Sequence, residues 1–110
     1  MSAWKVFYTP EARKDVLSFD KSQRNQILKA IDRVSKNPLP DTEGGYGKPL
    51  GNRKSINLAG CLKIKLRRLG IRIVYHLERT EKGMEIIVVG IRADDEVYRI
   101  AAERLKKRLG

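Results

Sequence analysis

The residues best equipped for chemistry lie between Cys61 and Tyr98. In "CLKIKLRRLGIRIVYH" Lys63, Lys65 and Arg67 interleave with Leu62, Ile64 and Leu66, and beyond Gly70, Arg72 sits between Ile71 and Ile73. Successive side chains of a strand point to opposite faces, so the first three cations share one face. Arg72, Val74 and His76 share a face of the next strand. With Ile64, Ile71 and Ile73 turned into a core, Lys63, Lys65 and Arg72 emerge on one surface. The stretch "VVGIRADDEVY" then brings Arg92 out of a third strand, after a glycine that permits close backbone approach, and places Tyr98 in the first turn of a helix. Helix starts offer free N–H groups to anions. One Arg and one Tyr hydroxyl beside three cations make a phosphate site. The plainer reading is also open. Cations on a sheet are often a solvated face or a guard against edge pairing, and Tyr98, one place from an apolar stripe, is equally suited to packing on the core.

Stacked like charges on neighbouring strands repel, so something must compensate. The composition points to a polyanion. The chain has 110 residues, 24 Lys+Arg, 13 Asp+Glu and a net charge of +11. Residues 1–47 carry eight cations and six anions, whereas residues 48–110 carry sixteen and seven, so the net charge splits as +2 and +9. A basic half of a small domain makes nucleic acid the first candidate partner. The length allows one core and one domain, residues 1–110. Cys61 is the only cysteine, which excludes an internal disulfide and fits a small buried apolar residue in a reducing compartment. No apolar run approaches the ~20 residues that span a bilayer, and the start lacks a signal-peptide layout, so a cytoplasmic protein with no membrane partner is expected. No metal-ligand spacing or glycine-rich phosphate loop is present, and no cofactor is expected.

These residues need a sheet to carry them. "AWKVFYT" reads as a strand. Thr9, Pro10 and Glu11 form a helix start, and Asp20 with Gln23 forms a capping box for a second helix whose stripe is Ile27, Leu28, Ile31 and Val34. Asn37-Pro38 ends it. Residues 38–60 then hold three of the four prolines and five of the nine glycines, which reads as a long loop. Lys48, Arg53 and Lys54 make that loop basic, and Arg67 and Arg68 sit at the hairpin tip, so these five are candidate RNA contacts. Three strands follow, from Cys61, Ile71 and Met84. The third has apolar residues on both faces (Ile86 and Val88 against Ile87 and Val89) and so is expected to be central and covered on both sides. Asp94 or Asp95 caps a last helix with the stripe Val97, Ile100, Ala101 and Leu105. The order β-α-α-β-β-β-α predicts a small α+β domain, an antiparallel sheet with an N-terminal αα-hairpin and a C-terminal helix, two helices lying against one face.

The segment from Cys61 to Leu109 closely resembles the C-terminal half of RelE-type toxins, within the wider RelE/ParE superfamily of toxin–antitoxin systems. The motifs are "C-x-K-I-K-L", "G-x-R-x-V-Y", and "V-G-x-R" followed by "E-V-Y". The resemblance implies a type II toxin that cleaves mRNA in the ribosomal A site without metal. It also implies that Lys63, Lys65, Arg72, Arg92 and Tyr98 form the catalytic surface. In that reading Tyr98 deprotonates or orients the ribose 2′-OH, which attacks the adjacent phosphate in line. Lys63, Lys65 and Arg72 neutralise the growing charge, and Arg92 assists departure of the 5′-oxygen. Tyr titrates near ~10 and Arg stays protonated. Cations beside Tyr98 should favour its phenolate, but the main effects expected are electrostatic stabilisation and positioning, with little activity on free RNA. An acidic RelB-like antitoxin is the implied partner, covering the site or displacing the last helix, with operator DNA bound only through that complex. Two features depart from the family: the acidic "ADDE" after Arg92 and the Gly/Pro-rich segment before Cys61. The competing readings are a ParE-like gyrase inhibitor that cuts nothing and a non-catalytic RNA-binding module. His76, the only histidine, is left outside the site.

Overall fold

A computed structural model of the chain describes residues 3–53, 56–91 and 94–109. Strand β1 (Lys5–Tyr8) leads into helices α1 (Pro10–Leu17) and α2 (Lys21–Ser35). Strands β2 (Lys48–Arg53), β3 (Ile56–Leu66), β4 (Ile71–Glu78) and β5 (Gly83–Gly90) follow, and helix α3 (Asp94–Leu109) closes the order. Local chemistry sets the helix starts. The Thr9 hydroxyl accepts the Ala12 N–H at 3.0 Å, and Asp20 and Gln23 complete a reciprocal capping box. These caps satisfy N–H groups that the first turn leaves without an intrahelical partner.

The α+β class stands, and the order gains one strand, running β-α-α-β-β-β-β-α. The strands lie in the order β1-β5-β4-β3-β2. The sheet is mixed rather than wholly antiparallel, because β1 runs parallel to β5, pairing Lys5 with Gly83 through Tyr8 with Ile86. Two cores sit on opposite faces. Ile27, Ile31 and Val34 of α2 and Ala12 and Val16 of α1 pack on Leu62, Ile64, Ile71, Ile73, Tyr75, Met84, Ile86 and Val89. Val97, Tyr98 and Ala101 of α3 pack with Leu50, Cys61, Val74, Ile87 and Val88. Two helices lie against one face, as expected. The α1/α2 pair takes one face, and α3 takes the other. Leu28 also departs from the expected stripe, at 44% exposed, and Ala30 is buried in its place.

Two local features shape the face under α3. The β4–β5 register shifts between Val74 and Tyr75, which partner Val88 and Ile86 respectively and leave Ile87 as the extra residue. This bulge turns both Ile87 and Val88 toward α3 and sends Ile86 and Val89 to the other core. Strict alternation predicts a different pairing of faces. The shift also brings Gly90 opposite Arg72. β5 is interior, between β1 and β4, and is covered on both sides as expected, while β4 is the middle strand.

The second feature corrects the long loop. Residues 38–60 contain β2 and the first part of β3, joined to the rest by one 3-10 turn at Asp41–Glu43. β2 is an edge strand, which accommodates Pro49, and its register slips between Pro49 and Gly51. The preceding turn is tied down. The Tyr75 hydroxyl donates to the Pro38 carbonyl at 2.8 Å, and Arg79 grips Glu43 through two bonds of 2.9 and 2.7 Å. That guanidinium holds the Glu43 carboxyl below the usual carboxylate range. Gly47 has no room for a side chain, since a Cβ there runs into the Tyr75 hydroxyl and Leu62.

Candidate active site

The strand registers assemble the cations in rows. Lys48 on β2 lies opposite Lys63 on β3, and Lys63 lies opposite Val74 on β4. One row along, Lys65 lies opposite Arg72, and Arg72 lies opposite Gly90. Directly opposed residues share a face, and neighbouring strands are only about 4.8 Å apart. Cys61, Val74 and Val88 of this face touch α3, so the four cations belong to the side that α3 covers. The alternation read from the sequence holds for Lys63, Lys65 and Arg72. Lys48 joins them through a strand that the sequence conceals.

Tyr98 completes the group from above. Lys63 Nζ donates to its hydroxyl at 3.0 Å and lies 5.6 Å from the ring centroid. Tyr98 is 1% exposed, seated among Val97, Ala101 and the strand residues below. Its ring packs the second core, as the plainer reading has it, and its hydroxyl reaches the cationic row. Lys63, Lys65 and Arg72 are each half-buried, and the Arg72 guanidinium also donates to the Gly70 carbonyl at 3.3 Å. Arg67 and Arg68 stand exposed in the hairpin turn, at the Lys65–Arg72 end. Lys48 is exposed at the sheet's edge. Arg53 ends β2 opposite Ile56. Arg92 and Lys54 lie outside the described residues.

Several groups separate from this surface. His76 shares a face with Arg72 but sits two rows away, opposite Cys61 and Glu85. It lines a groove of about 510 Å³ with Lys5, Phe7, Glu78, Glu81 and Glu85. That concavity is rich in carboxylates and ill-suited to phosphate. Cys61 is buried, and burial pushes its thiol up to about 11, so it stays protonated and inert at neutral pH. Among the described residues no group of three or more His, Cys, Asp or Glu could hold a metal ion.

One pair escaped the sequence. Asp15 of α1 and Arg104 of α3 meet at 2.7 Å, and Asp15 also accepts the Val89 N–H at 3.0 Å. Sequence showed Arg104 only as part of a basic helix end, and nothing connected it to a residue 89 positions earlier.

This α+β fold is shared with solved structures of RelE toxins. No family model matches the chain. It is 28% identical over 103 residues to the mRNA interferase toxin RelE of Escherichia coli, covering 94% of this chain and 98% of that protein. The mRNA interferase RelE of Shigella flexneri matches to the same extent. Among solved structures, a free-state double-arginine variant of E. coli RelE superposes with a TM-score of 0.72 at 25% identity, over 94% of this chain and 99% of that one. The RelBE2 toxin–antitoxin complex of Mycobacterium tuberculosis gives 0.64 at 28%, over 86% and 97%. Over nearly its whole length the chain is thus similar to RelE toxins in sequence and in fold.

Proposed function

We propose that this protein is a ribosome-dependent endoribonuclease, the toxin of a type II toxin–antitoxin pair, cleaving mRNA in the ribosomal A site and so inhibiting translation. The observation that carries the reading is the Lys63–Tyr98 contact at 3.0 Å within a face that also holds Lys65 and Arg72. Relatives at 28% identity over nearly the full chain are named mRNA interferases.

In the proposed reaction Tyr98 orients the ribose 2′-OH and takes its proton, the 2′-oxygen attacks the adjacent phosphorus, and the 5′-oxygen leaves. Lys63, Lys65 and Arg72 stabilise charge on the non-bridging oxygens, the kind of fixed electrostatic support that contributes most when water is excluded. Arg92 is assigned to the leaving oxygen. Tyr98 is 1% exposed, so a ribose reaches its hydroxyl only after a local movement of the packing around it. Free RNA has no means of paying for that movement, whereas a ribosome presenting a splayed codon supplies binding energy from remote contacts. This supports low activity on free RNA.

The proposed partner is an acidic RelB-like antitoxin, since two relatives were solved as toxin–antitoxin assemblies. Operator DNA is assigned to that complex, through the antitoxin. Among the described residues no helix is long and apolar enough to cross a membrane, and the proposed site of action is the cytoplasm.

The test is primer extension on a defined mRNA held in purified bacterial ribosomes, with Arg92→Ala protein and ribosome-free mRNA alongside. A new stop within the A-site codon that needs both the ribosome and Arg92 is the expected result. No stop from folded, antitoxin-free protein overturns the reading and brings gyrase inhibition or simple RNA binding forward.

A further inference from the structure

Strand β1 leaves the sheet after Tyr8, where the Thr9 N–H still reaches the Ile86 carbonyl at 3.2 Å. The outer edge of β5 continues from Ile87 to Gly90 with no strand beside it among the described residues. Two side chains stand in for one. Asp15 Oδ2 accepts the Val89 N–H at 3.0 Å, and Arg104 Nη1 donates to the Ile87 carbonyl at 2.8 Å. The same nitrogen donates to Asp15 Oδ2 at 2.7 Å, and Nη2 donates to Oδ1 at 3.3 Å. One acceptor and one donor thus satisfy backbone groups that a neighbouring strand would otherwise pair. Each side chain is only 20% exposed, so these charge-assisted bonds are partly shielded from solvent.

This clamp acts on α3, the helix that carries Tyr98. α3 meets the sheet mainly through Val97, Ala101 and the Tyr98 ring. Apolar contacts of this kind resist separation but are non-directional, and small side chains tolerate sliding. Directional bonds are made at Lys63 and at Arg104. At 1.5 Å per residue, Arg104 lies about 9 Å along the helix axis from Tyr98. Pinning it to the backbone of β5 fixes both the axial position and the rotation of the helix, and so the seat of the hydroxyl over Lys63.

We propose that Asp15 and Arg104 are positioning residues for Tyr98, closing the free edge of β5 and setting the register of α3 against the cationic face. The consequence for cleavage rests on the nuclease reading above. The seating of Tyr98 does not.

The test uses the full chain carrying Asp15→Ala, Asp15→Asn or Arg104→Ala, with Arg99→Ala as the control at an exposed position of the same helix. Three quantities are read: single-turnover cleavage on programmed ribosomes, the thermal unfolding midpoint, and the ¹³Cζ resonance of Tyr98, assigned by its loss in Tyr98→Phe. Misplacement on the scale of an ångström costs about 10- to 100-fold in rate. Asp15→Ala and Arg104→Ala should therefore slow cleavage by about that factor, with KM for programmed ribosomes within about twofold, and should shift the Tyr98 resonance at temperatures where the protein remains folded. Asp15→Asn keeps an acceptor for the Val89 N–H and should recover part of the rate. An unmoved Tyr98 resonance, or a rate that falls only as folded protein is lost, overturns the proposal. Wild-type protein that cuts nothing overturns the nuclease reading instead. The resonance then decides the positioning role alone, supporting it if Asp15→Ala shifts the signal and Arg99→Ala does not, and overturning it otherwise.

Discussion

Lys63 and Tyr98, 35 residues apart in the chain, share a hydrogen bond of 3.0 Å between β3 and α3. The contact ties a helix to the sheet face it covers, and it joins the one phenol of that face to its row of cations. Structure and proposed chemistry depend on the same bond.

Tyr98→Phe keeps the ring in the second core and removes only the hydroxyl. Losing a general acid–base group costs about 10²–10⁴ in rate. Losing one hydrogen bond from a charged donor costs about 1.5–3 kcal/mol of stability. Single-turnover cleavage on programmed ribosomes and urea unfolding measure the two. A variant that cleaves like wild type would leave Tyr98 a core residue and nothing more.

Lys48, Lys63, Lys65 and Arg72 sit on adjoining rows of one face. Binding of a short single-stranded RNA should weaken with salt by about 0.7 in log–log slope for each phosphate contacted. Lys48→Ala and Lys65→Ala should each flatten that slope by about this amount. Lys29→Ala, exposed on α2 against the opposite face, should leave it unchanged. Fluorescence anisotropy across a salt series reads all three.

Gly47 and Tyr75 anchor the approach to β2 and hence the placement of Lys48. Gly47→Ala forces a methyl group into the Tyr75 hydroxyl and Leu62, an overpacking cost of about 1–3 kcal/mol. Tyr75→Phe strips the Pro38 carbonyl of its donor and should cost about 1–3 kcal/mol. The double variant should stay less stable than Tyr75→Phe alone, because Leu62 still blocks the methyl. Urea midpoints would show the order, and a fully rescued double variant would contradict it.

Alkaline pH should destabilise the fold in a defined window. The Cys61 thiol moves from 9.0 to about 11 because burial penalises the thiolate, and burial likewise raises the Tyr75 phenol. The unfolded chain therefore releases these protons at lower pH than the folded one. Their contribution is constant below pH 9 and declines as pH rises toward 11. A hundredfold difference in thiol acidity corresponds to roughly 3 kcal/mol. Urea unfolding between pH 8 and 11 should show the decline, and Cys61→Ala should remove part of it. In the folded protein the thiol should resist alkylation at pH 8.

Features with a local cause were readable in the sequence. Thr9 and Asp20 cap their helices with bonds spanning three residues, and Lys63, Lys65 and Arg72 follow from alternation along two strands. β2 was hidden because Pro49 and Gly51 suit an edge strand as well as they suit a loop. The bulge at Ile87 was hidden because it changes which neighbour each residue meets without changing any residue type. Leu28 fits its stripe by spacing and is still 44% exposed, since the buried stripe centres on Ile27, Ala30, Ile31 and Val34 and leaves Leu28 on its flank. The opposite seating of α3 and the Asp15–Arg104 pair both depend on partners far along the chain, which periodicity does not encode.

The placement of α3 also sets an order of events during synthesis. β1 must wait for β5, emerging nearly eighty positions later, before it has a strand to pair with, and every strand of the sheet precedes the helix that bears Tyr98. Chains emerge N-terminus first, and a domain folds as a unit. A nascent chain therefore displays Lys63, Lys65 and Arg72 while the tyrosine is still inside the exit tunnel.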